Sequence, residues 1–116
     1  MTEITNEMIA TEVMGWSCDN IDDYDTWRDE KYENTGYDVR DWEPLKSITD
    51  AFRVVDRMEE LGWDIFSIEH NTDPLITEWV ARFDSWKKRG HVVEYAVTKE
   101  QAICRAALNA VIAKGE

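Results

Sequence analysis

The sequence predicts an α+β fold, an α/β/α sandwich with a three- to four-stranded antiparallel sheet and helices on both faces. Three observations carry this expectation. A helical apolar stripe runs over residues 48–61, three strand-patterned segments follow within 63–97, and an alanine-rich helix with its own capping signal spans 99–113. The chain has 116 residues, 43% of them hydrophobic, which suffices for one core. No repeat and no Pro/Gly-rich linker divides it, so residues 1–116 read as a single domain.

The elements follow in order. Residues 3–14 read as a first helix, with Ile4, Met8, Ile9 and Val13 at i, i+4 spacing and Gly15 as its stop. Ser47 is an N-cap for the second helix, and Asp50 suits the positive end of its dipole. Ile48, Ala51, Phe52, Val55, Met58 and Leu61 form its stripe, and Gly62 supplies a left-handed cap. The stripe makes Phe52 a core ring. Pro44 keeps Glu43 extended. Segments 63–69, 77–85 and 91–97 are strands. The second sets Trp79, Ala81 and Phe83 on one face, and the third sets Val93, Tyr95 and Val97 on one face. The short loop WKKRG joins the last two, as in a hairpin. Thr98 and Gln101 make a capping box for the final helix, whose packing face is Ala102, Ile103, Ala106, Ala107, Ala110 and Val111.

Charge is concentrated in one place. The net charge is −12, and residues 19–43 hold ten acids and three bases, a balance of −7. Residues 18–43 therefore read as an acidic insert, left open between a short helix within 22–33 and an edge strand at Tyr37–Trp42. Threaded through it and its entry are Trp16, Tyr24, Trp27, Tyr32, Tyr37 and Trp42. A purely solvating acidic loop does not carry so many rings, whereas aromatic anchors ringed by polar groups are typical of binding surfaces.

Several function classes are disfavoured. The acidic balance opposes direct binding of nucleic acid or of an anionic membrane. No apolar run has the length of a membrane span. The start, MTEITNEMIA, has neither the cationic nor the apolar region of a signal peptide, so the expected location is cytoplasmic, in the host cell. Cys18 and Cys104 make no disulfide framework, and Cys104 reads as a small core side chain.

No metal site is expected. Counted as a calcium loop from Asp19, position three is Ile21 and position six is Tyr24, and His70, His91 and the cysteines are scattered. No nucleophile elbow, phosphate loop or cofactor motif occurs, so no catalytic residue and no cofactor is assigned. The one basic cluster, Lys87, Lys88 and Arg89 beside Trp86, sits at the expected hairpin tip and serves either as an anion contact or merely to solubilise the turn.

A family resemblance joins these elements. The runs IATEVMGW at 9–16, WEPLKSITDAFRVVDRM at 42–58 with Gly62 and Trp63 after it, WVARF at 79–83, and AVT at 96–98 leading into AICRAALNA at 102–110 resemble the phage ABA sandwich domain, a family of small phage and prophage proteins. The resemblance covers about three quarters of the chain and implies an α/β/α sandwich. It brings no catalytic residues. A more distant likeness in pattern is to the NinX-like phage proteins. It implies accessory proteins that counter host defence by binding rather than by chemistry.

Three readings result. The first is a sponge that sequesters a small nucleotide-type signal. Trp16 and Trp42 would be its stacking platform and Arg40, Arg53, Arg82 and Arg105 its anion ligands. A homo-oligomer fits such a site. The second is an acidic mimic of nucleic acid that occupies a basic host protein through Asp19, Asp22, Asp23, Asp25, Asp29 and Glu30. The third, a nucleotide-processing enzyme, has the least support.

Overall fold

The structure, a computed structural model, describes residues 4–18, 26–29, 31, 33–38, 41–70, 78–85, 87 and 90–114. Its elements are α1 (Asn6–Met8), continuing into a π-helical segment (Ile9–Val13), β1 (Thr26–Arg28), β2 (Asn34–Asp38), α2 (Ile48–Glu60), β3 (Ile65–His70), β4 (Trp79–Ser85), β5 (Gly90–Ala96) and α3 (Lys99–Lys114).

The α+β class and the antiparallel sheet are those the sequence predicts. Strands β3, β4 and β5 form a meander in that order. Phe66 lies opposite Phe83, and Phe83 opposite Val92, so Phe66, Phe83 and Val92 share one face. Trp79, Ala81 and Phe83 are on this inner face, with Ala81 and Phe83 buried, as the alternation requires. Helix α3 packs there, mainly on β4 and β5, while α2 and the π-helical segment pack on α3.

The combination of helices with an antiparallel sheet is the expected one. Among the described residues α3 is the middle layer, between the sheet on one side and α2 with the π-helical segment on the other. Its composition explains this. Ala102, Ile103, Cys104, Ala106, Ala107, Leu108 and Ala110 are all buried, and small side chains allow close approach on two sides at once. The other sheet face keeps Ser67, Glu69, Arg82, His91, Tyr95 and Val97 exposed, which puts the Val93, Tyr95, Val97 row on the open side.

Local signals hold at the helix ends. Ser47 Oγ accepts from Asp50 N–H at 3.3 Å, and Thr98 Oγ1 accepts from Gln101 N–H at 3.2 Å. Gly15 and Gly62 adopt positive φ of 73° and 101°.

Two expectations are corrected, and an alternative left open in the insert is narrowed. The first helix is mostly π-helical over Ile9–Val13, with Met14 N–H bonded to Ile9 C=O five residues back. This wider turn carries the buried residues Ile9, Ala10 and Val13. On α2 the buried line is Ala51, Val54 and Met58, and Phe52 is 47% exposed, because α3 sits one helical step from the expected stripe. The described part of 22–33 includes strand β1, paired with β2 in a second small sheet, and shows no helix.

Candidate functional site

The site is built where the chain leaves the π-helical segment. Gly15 turns it, and Ser17 then bridges Arg28 through two main-chain hydrogen bonds of 2.8 Å, which anchors β1 beside Trp16. Thr35 Oγ1 donates to Trp27 C=O at 2.9 Å, tying β2 to β1 and presenting Tyr37. On the far side of the insert, Glu43 N–H bonds to the buried Asp50 carboxylate at 2.9 Å, and Leu45 N–H to Asn6 Oδ1 at 3.2 Å. These bonds fix the approach of the chain to α2 and lock Trp42 in place.

Three rings from these three places converge. Trp16 and Tyr37 stack with centroids 5.7 Å apart, Trp16 and Trp42 meet at 4.6 Å, and Tyr37 and Trp42 meet edge-on at 5.2 Å. The guanidinium of Arg53, an exposed residue on α2, lies over the Tyr37 ring at 5.9 Å. Sequence reasoning named Trp16, Trp42 and Arg53, and the fold brings them together.

Their roles differ. Trp42 is 1% exposed, so it is a core ring and not an open stacking platform. Two rings cover it, and its indole N–H is buried without an acceptor among the described residues, as is that of Trp27. Trp16 is half-buried and also lines a cleft of about 390 Å³ with Met14, Asp29, Lys31, Glu33, Arg57 and Glu60. The cleft lies between the end of the π-helical segment, the β1–β2 turn and the C-terminal end of α2.

Its electrostatics favour cations. Three carboxylates face two cationic residues. Arg57 already donates from Nε to Val13 C=O at 3.2 Å and pairs with Glu60 at 3.5 Å. Asp29 Oδ1 accepts the main-chain N–H groups of Lys31 and Glu33, both at 2.9 Å, which shapes the turn and orients one cleft wall.

Two further sequence candidates, Arg82 and Arg105, do not join this site. Arg82 projects from the open sheet face and pairs with Asp84 at 2.9 Å. Arg105 is spent on the sheet edge, donating to Tyr95 C=O at 2.8 Å. Arg40, Asp19, Asp22, Asp23, Asp25 and Glu30 lie outside the described residues, as do Trp86, Lys88 and Arg89 of the basic cluster; Lys87 is exposed. Of the acids expected to meet a partner, Asp29 is in the cleft. Sequence reading passed over Glu33, Arg57 and Glu60. The last two had a signal in their i, i+3 spacing on the polar side of α2.

Among the described residues no group of three or more His, Cys, Asp or Glu side chains is placed to hold a metal ion, and no helix is long and apolar enough to cross a membrane. Burial, and secondarily the negative charge of Glu100, pushes the Cys104 thiol up to about 12.

The comparisons with known proteins agree with this fold. The family described as phage ABA sandwich domain matches residues 7–108. A phage protein from Bacillus cereus ATCC 14579, solved by crystallography at 2.0 Å, superposes with a TM-score of 0.59 at 18% identity, over 89% of this chain and 84% of that one. No curated protein matches the sequence.

Proposed function

The chain belongs to the phage ABA sandwich domain family, and from that premise we propose that it is an accessory protein acting by binding rather than by chemistry, with a basic protein of the host as its partner. The cleft beside Trp16 carries this reading. An aromatic wall edged by the carboxylates of Asp29, Glu33 and Glu60 suits the ammonium or guanidinium group of a partner's Lys or Arg. It suits a phosphate poorly, since Arg57 is already engaged by a carbonyl and a carboxylate. The −7 balance of residues 19–43 adds long-range attraction, and the whole face then acts as a mimic of nucleic-acid charge in a counter-defence role.

A second reading, sequestration of a nucleotide-type signal, is favoured by one observation. Arg53 is exposed above the Tyr37–Trp16 stack, an arrangement that offers a ring and a cation together.

Two titrations separate the readings. An arginine-rich peptide should bind with an affinity that falls steeply as salt is raised, and Trp16→Ala should weaken it about tenfold. A panel of cyclic and linear nucleotides, recovered by heating, should show no retention. Tight retention with intact recovery would instead establish the sponge, and altered nucleotides would establish an enzyme.

A further inference from the structure

The two edges of the β3–β4–β5 sheet are treated unequally. At the β5 edge, α3 reaches over the strand. Arg105 donates to Tyr95 C=O, and Asn109 Nδ2 donates to the Glu94 carboxylate at 2.6 Å. At the β3 edge nothing comparable occurs among the described residues. Strand β3 is terminal in the sheet, and its outward N–H and C=O groups bond to no described group. Its sequence, IFSIEH, lacks the lysine or proline by which natural edge strands are usually guarded, and its pairing with β4 runs through six residues without a bulge.

Burial marks the same edge. Phe66 and Ile68 point to the α3 side yet stay only half-buried, because α3 lies mainly over β4 and β5. Ile65, on the opposite face, is 43% exposed. Apolar side chains are therefore incompletely covered on both faces of a strand whose outer edge meets no described group, the condition that an added strand relieves.

We propose that β3 is a self-association edge, pairing antiparallel with β3 of a second copy about a two-fold axis to give a continuous six-stranded sheet. The register of β3 against itself argues for this occupant. A chain of net charge −12 repels its own copy, but β3 holds a single carboxylate, Glu69, in six residues. Two-fold antiparallel pairing centred on Ser67 sets Glu69 opposite the partner's Ile65 and not opposite a second carboxylate. It also brings the half-covered Phe66 and Ile68 of the two copies alongside one another. This inference does not rest on the reading of the cleft.

Sedimentation of the whole chain across a wide concentration range tests it. The parent should associate to a dimer. Ser67→Lys, at an exposed position, should raise the dimer dissociation constant about tenfold or more through like charges set face to face. Its circular dichroism should stay unchanged. Ser67→Glu, which sets a carboxylate against its own copy, should do the same. In a Cys18→Ser background, Ser67→Cys should form a disulfide-linked dimer under mild oxidation. A parent that stays monomeric throughout would overturn the proposal. So would a dimer that survives both substitutions, or one that fails to cross-link at position 67.

Discussion

Arg57 Nε donates to the Val13 carbonyl at 3.2 Å, joining α2 to the last turn of the π-helical segment. The bond supplies a partner to a carbonyl at a helix end, where the helix itself offers none. It also places the guanidinium at the floor of the cleft with its charge already answered. Removing it should therefore be a stability effect before it is a binding effect. Arg57→Ala should lower the free energy of unfolding by about 1–3 kcal/mol, read from urea midpoints, and Arg57→Lys should recover part of that loss.

Trp42 and Phe52 exchange the roles that the sequence gives them. Trp42 is enclosed by Trp16, Tyr37 and the core, so Trp42→Ala should cost about 3–5 kcal/mol. Phe52 is 47% exposed, so Phe52→Ala should cost about 1 kcal/mol. Denaturant unfolding of the two variants side by side checks the assignment. Equal losses would contradict it.

The cleft carboxylates should govern binding without governing the fold. Glu60 is exposed and shares only a 3.5 Å pair with Arg57. Combined Glu33→Gln and Glu60→Gln should weaken an arginine-rich peptide about tenfold, with unfolding shifted by under about 1 kcal/mol. Replacing Asp22, Asp23 and Asp25 together by Asn should slow association and flatten its salt dependence, because those charges steer the encounter from about 10 Å away at 0.1 M salt. Calorimetry and stopped-flow mixing give the two readouts.

Cys104 links stability to pH at the alkaline end. Its thiol moves from an ordinary 9.0 to about 12 in the folded chain. The unfolded chain therefore ionises first. The stabilising contribution is complete below pH 9 and is lost as the pH rises from there toward 12, by at most about 1.4 kcal/mol per pH unit. Cys104→Ala should remove that part of the alkaline slope. A thiol reagent at neutral pH should label Cys104 only on unfolding, since the group is both buried and protonated.

Much of the fold was legible because its causes are local. Ser47 and Thr98 cap helices by reaching three residues along the chain, Gly15 and Gly62 take left-handed turns, and the alternation of Trp79, Ala81 and Phe83 marks the inner side of a strand. What the sequence left open depends on partners distant in the chain. Helix α2 carries two overlapping apolar lines, one through Phe52 and one through Val54, and only the position of α3 buries the second. The π-helical turn at Ile9–Val13 closes its hydrogen bond five residues back, from Met14 to Ile9, which i, i+4 spacing does not reveal. Trp16, Tyr37 and Trp42 stand 26 residues apart from first to last. Their chemistry was visible in the composition, but it was the hairpin and the bond from Glu43 to Asp50 that closed one ring into the core and left another beside the cleft.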